Sequence, residues 1–422
     1  MRFNKTTLKN GLRIITIPMT DNPSVTVLVM VEAGSKYENK KNNGISHFLE
    51  HMVFKGTPRR PKSGDISREL DSIGAQYNAF TGHEYTGYYA KADSRHMDTI
   101  LDIVSDMYLN PLFPAKEMEK EKGVIVEEIR MYNDMPQSRV QEIFMEVLYE
   151  NQPAGWSIAG TEKNVKAFTR DVLVDYRDQH YVSSATTVVV SGSFDEKDCI
   201  AKIKRAYAKM YSGKKSDKIK VTESQEAPKI QTEFKETDQT HLVIGVRTFP
   251  ILDKRIPVMH VLSTILGKGM SSRLFTRMRD ELGLCYYVKT NHDPFTDHGV
   301  LTISAGVDNS RVEEAVKEIL AQCRKFRDEL VSAAELKKAK DYIAGTTMLE
   351  LETSEARAEF CGGQEILKKK IELPEEIIKK VEKVTVKDVR KLAREIFING
   401  GLNMAVVGKF KDGEGFKSYF SF

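Results

Sequence analysis

Apolar positions change their spacing several times along the chain, and the changes mark out elements. Runs of β-branched residues such as Thr186-Thr187-Val188-Val189-Val190 and His241-Leu242-Val243-Ile244-Gly245-Val246, bounded by glycine or polar residues, predict strands. Tyr85 to Lys91 reads the same way, preceded by Gln76-Tyr77-Asn78-Ala79-Phe80-Thr81. Helices alternate with these strands. One is predicted around His47 to Met52, with Asn42, Asn43 and Gly44 as start residues and Gly56 followed by Pro58 as a stop. A second is the charged segment Glu117 to Met131.

The pattern then recurs. His47-Phe48-Leu49-Glu50-His51-Met52-Val53-Phe54-Lys55-Gly56 parallels His260-Val261-Leu262-Ser263-Thr264-Ile265-Leu266-Gly267-Lys268-Gly269, and Glu117-Met118-Glu119-Lys120 parallels Glu335-Leu336-Lys337-Lys338. Each half closes with a helix-like stretch opening at Asp171-Val172 or Asp388-Val389, then a strand and Gly-x-Phe, at Val188 to Phe194 and Ala405 to Phe410. Matches that keep their order at a period of roughly 210 to 220 residues point to duplication. Between the halves, Ser212 to Lys229 is polar and poor in large apolar side chains, which suits an exposed connection. The expected domains are therefore residues 1–212, a linker 213–230, and residues 231–422. The expected fold class is α+β, two homologous domains, each a sheet with helices packed on it.

Composition narrows the picture. A length of 422 residues exceeds what one core usually serves. With 41% hydrophobic and 29% charged residues the chain is ordinary for a globular protein, and no apolar run approaches the roughly 18 residues of a membrane helix. A formal charge of +4 gives no strong pull toward nucleic acid or an anionic membrane, so neither is expected as a partner. The basic cluster Lys214, Lys215, Lys218 and Lys220 is expected to be solvated. Cys199, Cys285, Cys323 and Cys361 form no CxxC pair and are expected to be reduced structural thiols. Met1 to Ile15 lacks the apolar core and cleavage site of a secretory signal, so the expected compartment is cytoplasmic.

The chemistry lies in His47-Phe48-Leu49-Glu50-His51. In a helix His47, Glu50 and His51 stand at i, i+3 and i+4, so both imidazoles can share one ion with a carboxylate beside them. A catalytic zinc takes three protein ligands and leaves one position to a water, whose pKa falls from roughly 15.7 toward about 7. Glu50 is placed to take that water's proton. The segment Glu117 to Met131 offers the third ligand from Glu121 and Glu128, seven residues apart on one face, with Glu127 as a competitor. For any short motif the plain alternative is a pair of packed or capping histidines.

Beyond the pentapeptide, Glu121-Lys122-Gly123-Val124-Ile125-Val126-Glu127-Glu128, Ser271-Ser272-Arg273-Leu274-Phe275 and Arg279-Asp280-Glu281-Leu282-Gly283-Leu284-Cys285-Tyr286 are similar to motifs of one family. Over nearly its whole length the sequence resembles the pitrilysin and insulinase superfamily of zinc metallopeptidases. Within it, the small branch of mitochondrial processing peptidases and their bacterial relatives is the most similar. The resemblance implies one zinc per chain on His47, His51 and Glu128, with Glu50 as catalytic base and Glu121 in a supporting catalytic role. It implies that Asn78, Ala79 and Phe80 lie on an edge strand that binds an extended peptide. It implies that Arg279 and Tyr286 contact the substrate, the arginine donating to a peptide carbonyl and the tyrosine hydroxyl stabilising an oxyanion. The implied fold has largely antiparallel sheets with helices on one face, the chain forming half of a clamshell. A homodimer follows, each active site completed by the other subunit's Arg279 and Tyr286. The second half has Thr264 in place of His51 and about Thr346 in place of Glu128, so no second zinc is expected. The expected function is a zinc metalloendopeptidase cutting unstructured peptides inside a dimeric chamber. Two other functions fit the same fold: a non-catalytic scaffold subunit and a peptide-binding module.

Overall fold

The computed structural model describes all 422 residues, which form two compact units. The first comprises Met1–Arg130, Trp156–Ile219 and Leu349–Ile371, and the second Met131–Gly155, Lys220–Met348 and Glu372–Phe422.

The first unit is built on six strands: β1 (Asn4–Thr7), β2 (Arg13–Pro18), β3 (Ser24–Val31), β4 (Gln76–Thr81), β5 (Thr86–Asp93) and β6 (Thr186–Gly192). Their order is β1-β2-β6-β3-β5-β4, with β2 parallel to β6 and every other neighbouring pair antiparallel. The central strands β3 and β6 are β-branched along most of their length and buried almost throughout, because helices cover both faces of the sheet and not the one face expected. On one face Val25, Val27 and Val29 lie in one apolar cluster with Ile100 and Val104 of helix Met97–Leu109 and with Phe48 and Leu49 of helix Ile45–Met52, which lies over β4 and β5. On the other, Ile15, Ile17, Leu28, Met30 and Val189 meet Ala358, Cys361 and Ile366 of helix Ser354–Lys368. Full burial of each large side chain on that face stabilises by roughly 1.5–3 kcal/mol. The helix sits so close that a Cβ on Gly362 would fall 2.6 Å from Met30 Sδ.

The second unit repeats this plan with β7 (Lys229–Phe234), β8 (Gln239–Thr248), β9 (Cys285–Pro294), β10 (Gly299–Asp308) and β11 (Leu402–Gly408), in the order β7-β11-β8-β10-β9. Here β7 is parallel to β11, and the other pairs are antiparallel. Strand for strand this matches β2-β6-β3-β5-β4, the structural counterpart of the sequence repeat. Helices Ile256–Gly267 and Val312–Asp328 cover one face. The other receives Val140, Ile143 and Phe144 of helix Pro136–Tyr149 against Val243, Val300, Ala405 and Val407.

The units therefore do not follow the division at 213–230. Helices Pro136–Tyr149 and Ser354–Lys368 hold corresponding places in the two repeats, and each covers the sheet of the opposite repeat. The connecting segment is also not simply solvated, a second correction. Lys215 pairs with the buried Glu32, and Lys218 lies 2.7 Å from the buried Glu84, because two carboxylates in a low-dielectric setting draw in the nearest flexible cations. All four cysteines are free and buried. No helix is long and apolar enough to cross a membrane.

Candidate metal centre

The motif forms helix Ile45–Met52, and its start is fixed by buried chemistry. Gly44 takes φ 98°, and a Cβ there would meet the Ala159 carbonyl oxygen at 2.6 Å, so the position requires glycine. Glu38, in place of a local side-chain cap, accepts from the Gly44 and Ser46 amides at 2.8 Å each. A carboxylate at a helix N-terminus meets both unsatisfied amides and the positive end of the dipole. Facing this short helix runs the charged helix, which spans Ala115–Asp134.

Three side chains converge between the two helices. Donor atoms of His47, His51 and Glu128 all lie within 4.8 Å of one another, and no other such trio of metal-type side chains is found. Glu128 Oε2 is 3.6 Å from His47 Nε2 and 3.4 Å from His51 Nε2. Ligand bonds of about 2.0–2.2 Å in a tetrahedron separate donor atoms by about 3.3–3.6 Å, so both spacings from Glu128 suit a zinc ion. His51 Nδ1 faces Glu121 Oε1 at 2.9 Å, which leaves Nε2 for the metal side. Burial, with His51 next, pushes the His47 imidazole down to about 4. Burial acts downward on His51 too, but Glu121 and Glu128 outweigh it and lift that ring to about 9. The hydrogen bond from His51 holds Glu128 below the usual carboxylate range despite burial. Glu127 points elsewhere, paired with Arg130 at 2.8 Å.

Glu50 lies on the same helix with its Oε2 buried and without a hydrogen-bond partner. Burial raises its carboxyl above the ordinary range, while Thr81 and His51 restrain the rise. Thr81 ends β4, an outer strand of the first sheet with β5 on one side only. Asn78, Ala79 and Phe80 thus lie on a sheet edge. Asn78 is exposed, Ala79 is buried on one face, and half-buried Phe80 packs over Gly87 and edge-on to Tyr85 on the other. The Ala79 amide donates to Asn78 Oδ1 at 2.9 Å.

Known proteins carry related sequences. Residues 13–162 match the model for insulinase, peptidase family M16, and residues 167–343 match the peptidase M16 inactive domain. An uncharacterized zinc protease of Bacillus subtilis, YmxG, is 35% identical over 398 residues, covering 93% of this chain and 95% of the relative. The chain belongs to peptidase family M16. An uncharacterized zinc protease of Rickettsia felis is 33% identical over 396 residues, covering 94% of this chain and 95% of its own. Among solved structures, a protease from Helicobacter pylori shares the fold with a TM-score of 0.91 at 22% identity, over 96% of this chain and 99% of that one. A peptidase M16 inactive domain from Pseudomonas fluorescens does so with a TM-score of 0.89 at 16% identity, over 98% and 99%.

In this M16 chain the second repeat lacks a metal trio. Thr264 and Thr346 turn their hydroxyls back onto their own helices, donating to the His260 and Tyr342 carbonyls at 2.7 and 3.0 Å. Arg279 and Tyr286 both belong to the second unit, where the guanidinium lies over the Tyr286 ring at 5.1 Å and the Phe275 ring at 4.7 Å. Arg279 sits in a π-helical stretch, Phe275–Glu281, and Tyr286 is 74% exposed at the start of the outer strand β9. Sequence reasoning missed Glu38, Thr81 and Lys55. The i, i+4 spacing from His51 was the available signal for Lys55; Glu38 and Thr81 carry none, being brought in by the turn and by strand pairing.

Proposed function

We propose that this M16 chain is a zinc metalloendopeptidase that hydrolyses unstructured peptides, akin to the processing-peptidase branch. The observation that carries the proposal is the convergence of His47, His51 and Glu128 beside the unpartnered Glu50 oxygen. Zinc held by that trio, one per chain, would supply Lewis acidity and a water with its pKa lowered toward about 7. Glu50 accepts the attacking water's proton at Oε2 and returns it to the leaving amide nitrogen. The open edge of β4 adds an extended peptide as a further strand, which reads backbone more than side chains. For that pairing the Ala79 amide exchanges Asn78 Oδ1 for a substrate carbonyl. Arg279 and Tyr286 supply donors to the substrate backbone and the developing oxyanion, acting on the other subunit of a homodimer that encloses the chamber. The four buried free thiols suit a cytoplasmic setting.

The test compares the wild type with Glu50→Gln on a quenched unstructured peptide, with bound zinc measured in both. Turnover is expected to fall by about 10²–10⁴-fold with zinc content unchanged. Full retained cleavage by the variant would falsify the mechanism. One observation favours a second reading, a non-catalytic scaffold: residues 167–343 match a model described as inactive. That description suits the repeat without ligands, and a wild type that holds zinc and turns over peptide excludes extending it to the whole chain. Peptide binding with zinc but no turnover would instead indicate a binding module.

A further inference from the structure

His47 and His51 are followed at the same helical spacing by Lys55, at i, i+4 and i+8, the lysine closing the 3-10 turn Val53–Lys55 that continues the motif helix directly. The facing helix sets Glu128 and Glu121 seven residues apart, and the two rows meet in register. Glu128 Oε2 faces the two imidazoles, Glu121 Oε1 lies 2.9 Å from His51 Nδ1, and Glu121 Oε2 lies 2.7 Å from Lys55 Nζ. Glu121 therefore spends one oxygen on the ligand histidine and the other on the lysine. A carboxylate tied at one oxygen alone can rotate and trade that bond for a solvent contact. Held at both, it keeps its aim on Nδ1, and so keeps the His51 ring turned with Nε2 toward the metal position.

We infer that Lys55 is a positioning residue of the metal centre, holding Glu121 so that His51 is presented to the ion in its ligating orientation. The inference rests on the metal-centre reading given above. The second repeat supplies an internal comparison. It keeps a lysine, Lys268, at the place of Lys55, but the offset that matches Glu117 with Glu335 puts Ala339 at the place of Glu121. Lys268 is exposed and Ala339 is buried. With an alanine in the place of Glu121, Lys268 has no facing-helix carboxylate of that kind and stays exposed, whereas Lys55 is turned inward onto a buried one.

A surface ion pair alone would stabilise the fold slightly and leave metal affinity untouched. The discriminating measurement is the zinc dissociation constant, by competition with a chromogenic chelator, for wild type, Lys55→Met, Lys55→Arg, Glu121→Gln and the double variant Lys55→Met with Glu121→Gln. Thermal unfolding of the zinc-free proteins is followed alongside, and Lys55→Gln replaces Lys55→Met should the latter not fold. Lys55→Met is expected to weaken zinc binding about 10- to 100-fold, the usual effect of losing a group behind a ligand, with zinc-free melting unchanged. Lys55→Arg is expected to recover most of the loss. In the Glu121→Gln background the lysine substitution is expected to cost no more than about 2-fold, because its partner is already gone. Wild-type affinity in Lys55→Met, or an equal loss with and without Glu121, overturns the inference. Absence of zinc binding in the wild type overturns the metal-centre reading first, and so is told apart from failure of the lysine's role.

Discussion

Glu38 and Glu121 are both buried glutamates in the first unit, and their environments push them in opposite directions. Around Glu38 burial wins: the Ser46 and Gly44 amides and Asn43 donate to it but bring no full positive charge, and its carboxyl is raised. Around Glu121 burial is outweighed by His51 and Lys55, two cationic neighbours, and the carboxyl is lowered. The first suits a capping role and the second a charged support for a metal ligand. His180 shows burial acting on a base: it drives the imidazole from 6.5 down to about 4, with the ring packed 4.2 Å from that of Tyr176. The folded value is the lower, so the unfolded chain takes the proton first. Its contribution is complete above about pH 6.5 and is lost as pH falls toward 4, at up to about 1.4 kcal/mol per pH unit. His83, also pushed to about 4 by burial, acts in the same window. Replacing His180 by Phe is expected to flatten the pH dependence of the urea midpoint between pH 4.5 and 6.5 by one proton's worth; an identical slope in variant and wild type would remove His180 from the account.

At the scale of elements, what the sequence discloses is what depends on local periodicity. The His47 and His51 face and the strands at Val188 and Val243 are legible because helical and β-branched spacing survive in one dimension. The proposed ligand Glu128 is separable from Glu121 in the sequence only through family resemblance, since seven residues put both on one face. What is not legible depends on distant partners. Nothing near Lys215 reveals that Glu32 lies buried 183 positions away in the chain. An apolar face on helix Ser354–Lys368 shows that the helix must be covered, but not by which sheet. Its seat is tight at Gly362, where a leucine would drive into Met30, Val189 and Leu28. Gly362→Leu is expected to cost about 1–3 kcal/mol through overpacking, read as a lower urea midpoint, while zinc affinity of the folded fraction stays unchanged. A variant as stable as the wild type would mean that the layer is loosely packed.

For the whole molecule, the proposed division of labour places His47, Glu50, His51 and Glu128 in one unit and Arg279 and Tyr286 in the other. Mixing subunits tests whether the second set serves its own chain or its neighbour. Inactive His51→Ala chains combined with inactive chains carrying Arg279→Ala and Tyr286→Ala are expected to regain up to about a quarter of wild-type turnover if statistical dimers form and one intact site suffices. Verified mixed dimers without turnover would place both sets in the same chain. The exchange of helices Pro136–Tyr149 and Ser354–Lys368 bears on how such a chain comes apart. A protease that nicks the segment between Ser212 and Lys229 severs the polypeptide but not the molecule, because each fragment still carries the layer that closes the other's core. The nicked protein should run as two bands once denatured and travel as one species while native, so a gel pattern suggesting two separable domains would describe only the cut backbone.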